Sequence, residues 1–249
     1  MDKTLLKGLR VLEAVAEAKY GYRNVEQLAA QLGLTRDNTL RTLQTLVHAG
    51  YVLKEHDGEY RGTARLFELG ARQLARVDIR GLALPAMQIL ADRTAETVHL
   101  SILDGLDVVY IEKIDCPQPI RTYSVIGERA PAYAVATGKA LLAHQSDKYL
   151  ERFNNAMTQH TAATFVSLDR LKDELRLSEG KGYAVNRGEW RDGVGGIAAA
   201  VFNSTGQAVA AVGLSVPLDR LTLKMEQFAV DVVACGKAIS EKLSDQSSQ

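Results

Sequence analysis

The sequence predicts an α+β chain in two parts: a small helical head closed by a β-hairpin, then a larger region whose mostly antiparallel sheet is flanked by helices. Three observations predict it. Apolar residues recur at helical spacing in three short segments before residue 50, two of them ending at a glycine. Two short β-forming runs around Asp57-Gly58 follow at once. Beyond residue 80, strand-like runs around Asp104-Gly105-Leu106-Asp107 and Asn203-Ser204-Thr205-Gly206 alternate with helical stretches. At 249 residues, 46% hydrophobic and 24% charged, the chain falls outside the disordered, collagen-like and coiled-coil classes.

Leu5, Leu6, Leu9, Leu12, Val15 and Ala16 give a first helix over residues 4–18, ended at Tyr20-Gly21-Tyr22. Asn24 caps a second over 25–32, and Gly33 supplies the left-handed stop. Thr35 caps a third over 36–48, with Leu40, Leu43, Leu46 and Val47 inward and Ala49-Gly50 at its end. Helix, helix, short glycine turn, helix is the helix-turn-helix order, and the hairpin of 51–55 and 59–61 completes a winged helix-turn-helix over residues 1–62. A helix over 63–77, with Arg65, Arg72 and Arg76 outward, reads as a linker within residues 63–80; the alternative is an ordinary packed helix of one continuous domain. Residues 81–249 form the second domain. It is expected to hold a helix over 82–96 with Pro85 in its first turn, strands over 98–103, 108–114 and 120–126, and helices over 133–144, 147–156 and 168–179. Strands over 183–186, 196–202 and 207–216 and a long helix over 221–243 follow.

Thirty basic and thirty acidic side chains cancel, which for the whole chain argues against nucleic acid, but the balance is uneven. Residues 1–80 carry 13 Lys+Arg against 10 Asp+Glu, and the remainder 17 against 20. On the third helix, Arg36, Asn38, Arg41, Thr42 and Thr45 lie off the leucine stripe, where Arg can read guanine and Asn adenine in the major groove of double-stranded DNA. Thr35, and Lys54, Tyr60 and Arg61 in the wing, are candidate phosphate contacts. Asp37 repels phosphate but favours the helix N-terminus. The alternative for these residues is a solvated helix face.

The N-terminus lacks a signal-peptide pattern and no run of about 20 apolar residues occurs, so the protein is expected in the cytoplasm and off the membrane. Cys116 and Cys235 stand apart without a CxxC partner and read as reduced, buried thiols, and the five histidines lack metal-ligand spacing. No cofactor or metal is expected. Gly138-Lys139-Ala140 lacks the Ser/Thr and the upstream glycine of a phosphate loop.

Four blocks carry a resemblance: residues 34–52 (LTRDNTLRTLQTLVHAGYV), 66–74 (LFELGARQL), 131–143 (PAYAVATGKALLA) and 182–203 (GYAVNRGEWRDGVGGIAAAVFN). In this order they resemble the IclR family of bacterial transcriptional regulators over nearly the whole chain. Residues 108–115 (VVYIEKID), Arg121-Thr122-Tyr123-Ser124 and Gly127 are similar to its sugar-acid-responsive branch, the regulators of ketodeoxygluconate catabolism. The resemblance implies a GAF-like effector domain over residues 81–249 that also serves oligomerisation, and a homodimer or dimer of dimers on a palindromic operator. It places the effector site at Ala136, Thr137 and Gly138, where helix N–H groups face a carboxylate, and at Asn186, Glu189, Gly196, Gly213 and Ser215. Three of these depart from the family pattern: Asn186 for Asp, Gly196 for Cys or Ser, Gly213 for Ser. They imply a roomier, more neutral pocket, suited to a sugar acid or an aromatic acid, or a relaxed and degenerate one.

The function expected is a regulator of a catabolic operon, repression favoured over activation, whose operator affinity is changed by a small organic acid effector. The residues leave open an enzyme acting on a small organic acid with an N-terminal partner-binding module, though neither a nucleophile–base pair nor metal spacing supports it, and a non-catalytic scaffold.

Overall fold

The computed structural model describes residues 1–17, 23–74, 79–115, 117–118 and 124–246. The expected break at Tyr20-Gly21-Tyr22, the end of the linker helix over 75–77, Cys116 and most of the strand expected over 120–126 lie outside them. Contacts divide the chain into residues 1–77 and 78–249.

The first unit holds α1 (Lys3–Ala16), α2 (Val25–Leu32), α3 (Arg36–His48), β1 (Val52–Lys54), β2 (Tyr60–Gly62) and α4 (Ala64–Leu74). Local chemistry sets its boundaries. Asp2 accepts from the Thr4 and Leu5 N–H groups, Asn24 and Gln27 form a reciprocal capping box, and Gly33 adopts a left-handed φ of 64°. Thr35 accepts from the Asn38 N–H at 3.4 Å. Val11, Val15, Leu28, Leu43, Val52 and Tyr60 form the core. β1 and β2 pair antiparallel, and an isolated bridge joins Tyr60 to Arg23. Arg65 donates to the Ala49 carbonyl at 2.9 Å and lies over the Tyr51 ring, bracing α4 on the C-terminal end of α3.

In the second unit, α5 (Ile79–Thr94) starts earlier than expected, so Pro85 lies inside the helix rather than in its first turn. The buried face of Ile79, Ala83, Ala86, Met87 and Leu90 offsets the missing donor. Among the described residues, six strands run antiparallel in the order β5-β4-β3-β8-β7-β6: β3 (Thr97–Asp104), β4 (Asp107–Ile114), β5 (Arg129–Pro131), β6 (Ala184–Arg187), β7 (Val194–Phe202) and β8 (Ala208–Pro217). Residues 124–126 are not strand. The chain turns at Gly127, φ 88°, where the Gly127 N–H donates to the Tyr110 carbonyl at 2.7 Å and the Tyr110 N–H to the Glu128 carbonyl at 3.1 Å, and then pairs with β4 as β5, an edge position that tolerates Pro131. The helix expected over 133–144 is a 3-10 turn at 132–134 followed by α6 (Ala136–Leu142). That over 147–156 is one turn, α7 (Asp147–Leu150), running into a 3-10 turn at 151–153; α8 is Leu168–Lys181 and α9 Leu218–Gln246. α6 packs on one face of the sheet, α5 and α9 on the other. Small residues permit this closeness. A Cβ on Gly236 of α9 would stand 3.1 Å from the Ala199 Cβ and from the Ala200 carbonyl, and one on Gly195 would stand 2.6 Å from Leu221. Cys235 is buried and its thiol is pushed up to about 12 by burial. No helix among the described residues is long and apolar enough to cross a membrane.

Candidate DNA-reading face and effector pocket

In the first unit, Arg36, Asn38, Arg41 and Thr45 of α3 are exposed, as are Thr35 at its cap and Lys54 in the wing. Their freedom differs. Arg36 Nε donates to Glu26 at 2.7 Å, and Arg61 Nε to Glu55 at 2.5 Å, so each would exchange a carboxylate for a phosphate. The Thr45 hydroxyl donates to the Arg41 carbonyl at 3.0 Å, and the Arg41 guanidinium projects from the exposed face. Two expectations are corrected. Tyr60 is only 1% exposed, because its strand pairs it with Arg23 and turns its ring into the core, so it cannot reach a phosphate. Thr42 is buried and donates to the Asn38 carbonyl at 2.8 Å; with Thr39 and Leu43 it forms the inner face of α3.

In the second unit, a cavity of about 60 Å³ opens against the α6 face of the sheet. Ala136 and Thr137 of α6, Asn186 of β6, Gly196 of β7 and Ser215 of β8 line it. α6 begins at Val135 without a side-chain cap, and its first intrahelical bond runs from the Lys139 N–H to the Val135 carbonyl at 3.0 Å. The N–H groups of Ala136 and Thr137 therefore stand outside the helical ladder, and both residues line the cavity.

Three expected pocket residues do something else. A Cβ on Gly138 would stand 2.1 Å from the Ala132 carbonyl oxygen, and one on Gly213 would stand 2.6 Å from the Ala198 Cβ, so both glycines serve close backbone approach and neither lines the cavity. Glu189 is buried behind the wall. Both its oxygens accept from Lys139 Nζ, at 2.6 and 2.8 Å, and Oε1 accepts from the Arg187 N–H at 3.3 Å. Burial pushes its carboxyl above the usual range, against the pull of Lys139. Asn186 in turn accepts from the Glu189 N–H at 2.8 Å, so the buried pair holds the turn that carries Asn186, Trp190 and Arg191.

Sequence reasoning did not place His99, Tyr110, Ser124, Trp190 and Arg191 in the pocket, yet all line it. His99 Nε2 and Ser124 Oγ are 2.5 Å apart, and burial, helped by Lys113, pushes the imidazole down to about 3, which leaves it neutral. Burial and nearby Glu128 push the Tyr110 phenol up. A polar His between Val98 and Leu100 in a strand is a signal for His99, and Trp190 and Arg191 lie within the 182–203 block.

A profile of the IclR helix-turn-helix domain matches residues 4–56, and one of the bacterial transcriptional regulator IclR C-terminal region matches residues 71–241. The chain belongs to the IclR family. This IclR-family protein is 33% identical over 246 residues to the HTH-type transcriptional regulator KdgR of Escherichia coli (strain K12), covering 98% of this chain and 92% of that protein. It is 28% identical over 244 residues to the transcriptional repressor IclR of the same organism, covering 96% and 89%. The crystal structure of Thermotoga maritima IclR matches with a TM-score of 0.79 at 29% identity, over 96% of this chain and 98% of that one. An IclR homologue from Microbacterium hydrocarbonoxydans, solved with 4-hydroxybenzoate, shares the fold, with a TM-score of 0.85 at 23% identity over 97% and 99%. This IclR-family chain is a DNA-binding transcriptional regulator with an effector-binding C-terminal domain, and not an enzyme.

Proposed function

We propose that the protein represses a catabolic operon in the cytoplasm as a homodimer or dimer of dimers on a palindromic operator, and that a small carboxylate-bearing acid, a sugar acid or an aromatic acid, changes its operator affinity. Residues 1–62 read DNA, 63–80 link, and 81–249 bind effector and partner. Asn38 and Arg41 contact base edges, Arg36 and Thr45 flank them, and Thr35, Lys54 and Arg61 hold phosphates. One short recognition helix covers few base pairs, and two-fold symmetry doubles the readout.

The observation that carries the effector reading is the cavity itself. Its wall offers hydroxyl and amide groups from Tyr110, Thr137, Asn186 and Ser215, a neutral imidazole and one guanidinium, which suits a hydroxylated acid. An effector that binds the DNA-competent and DNA-incompetent conformations unequally shifts operator affinity by that difference. The test is fluorescence anisotropy with DNA from the protein's own gene neighbourhood, with and without sugar acids and aromatic acids, alongside sedimentation. Specific binding with a negative salt slope, lost or gained with one acid, is expected. Failure to bind any such DNA, or binding indifferent to every acid, would sink the reading.

A further inference from the structure

An ion pair joins a cavity-lining residue to a turn beside the cavity. Arg191 Nη2 donates to Glu128 Oε1 at 2.9 Å, and Glu128 Oε2 accepts from the Val125 N–H at 3.0 Å. Glu128 follows the turn at Gly127 and lies near Ser124, a cavity residue. Arg191 follows Trp190, and its guanidinium carbon lies 4.0 Å from the centre of the indole ring; both line the cavity. The pair thus ties the turn of residues 124–128 to that of 188–193.

Among the described lining residues, Arg191 carries the cavity's charge, since His99 is neutral. Its planar guanidinium, stacked on Trp190, presents an edge that matches a carboxylate in geometry and charge. Glu128 already supplies such a carboxylate. With side chains 44% and 27% exposed, the pair is weak enough to exchange.

We propose that Arg191 is the counter-ion for the effector's carboxylate and that Glu128 is the internal carboxylate the effector displaces, so that binding opens the bridge and separates the two turns. This rests on the effector pocket proposed above. The ligand's remaining hydroxyls then face Tyr110, Thr137, Asn186 and Ser215. Neutral analogues lack the group that can displace Glu128.

The test is isothermal titration calorimetry on the full chain with D-gluconate, D-galacturonate, pyruvate and 4-hydroxybenzoate, each beside its primary amide. The proteins are the parent, Glu128→Gln, Arg191→Met, Arg191→Lys and the cavity-filling Ser215→Leu, each checked for fold by circular dichroism. At least one acid is expected to bind the parent. Glu128→Gln should bind it about three- to tenfold more tightly, and Arg191→Met more than about tenfold more weakly, with Arg191→Lys between. The amide's affinity should stay within about twofold across the Arg191 variants. If Arg191→Met or Glu128→Gln matches the parent while Ser215→Leu abolishes binding, the counter-ion assignment falls and the pocket stands. If Ser215→Leu binds as the parent does, the pocket falls with it. If no acid binds the parent or Glu128→Gln, the assignment is overturned, and operator assays alone decide whether another ligand gates the protein.

Discussion

Replacing Lys139 by Met removes the cation that faces Glu189. Lys139 is fully buried, the Glu189 side chain is 3% exposed, and the N–O distances of 2.6 and 2.8 Å leave no room for water between them. Glu174 Oε1, at 3.4 Å from the same nitrogen, is a weaker partner. Breaking a buried pair by removing one member costs about 3–5 kcal/mol, because the other charge stays behind. Glu189 can escape part of that by taking up a proton. Its ordinary value is 4.5, so protonation costs about 1.4 kcal/mol per pH unit above that, near 4 kcal/mol at pH 7.5 and under 1 kcal/mol at pH 5. In the variant, folded Glu189 holds a proton that the unfolded chain releases, so stability is lost as pH rises through the usual carboxylate range and beyond. The deficit relative to the parent is expected at about 3–4 kcal/mol at pH 7.5, shrinking to about 1 kcal/mol at pH 5. Urea unfolding followed by tryptophan fluorescence measures it, because Trp190 is the chain's one tryptophan and adjoins Glu189. A deficit under about 1 kcal/mol at pH 7.5, or an equal one at both pH values, would refute the view that this charge pair fixes the pocket wall. Lys139→Met with Glu189→Leu should recover most of the loss.

Arg41→Ala is expected to weaken operator binding by about 1–3 kcal/mol without changing the fold, read by anisotropy. Tyr60→Phe should leave that affinity within about twofold, while Tyr60→Ala should destabilise the first unit by about 3–5 kcal/mol in thermal melts; a binding defect in Tyr60→Phe would restore a phosphate contact there. Gly213→Ser, which puts the family's usual residue on β8, should cost about 1–3 kcal/mol by crowding Ala198 and the Ile197 carbonyl, with Ala198→Gly relieving it. Folded His99 titrates at about 3 against an ordinary 6.5, so its contribution is present above pH 6.5 and lost as pH falls toward 3. Between pH 7 and 5 that amounts to about 2 kcal/mol, and His99→Gln should flatten the urea-measured slope by that much.

The helices of the head were legible because their ends are local chemistry: Asn24, Gly33 and Thr35 each act within a few residues of themselves. Tyr60 misled because a three-residue strand is too short to show which of its faces is buried, and its partner Arg23 lies far away in sequence. Thr42 looked polar on a helix whose inner face is itself partly threonine. Of the pocket, the residues on α6, β6 and β7 could be placed through motif blocks and Ser215 on β8 through the family resemblance, but His99 and Tyr110 reach it through the strand order β4-β3-β8-β7, which no local pattern encodes. Gly138 and Gly213 show the converse: a glycine beside a site reads as room for a ligand, when it is room for the neighbouring backbone.

The small residues of β7 and β8 also have a mechanical consequence. Gly196 and Ala198 face α6, and at Gly236 the α9 backbone comes within Cβ contact of Ala199 and of the Ala200 carbonyl. A leucine-lined core absorbs a push by changing rotamers, but alanine and glycine have none to change. A larger residue at Ala199 or Gly236 would therefore have to move backbone, parting α9 from β7.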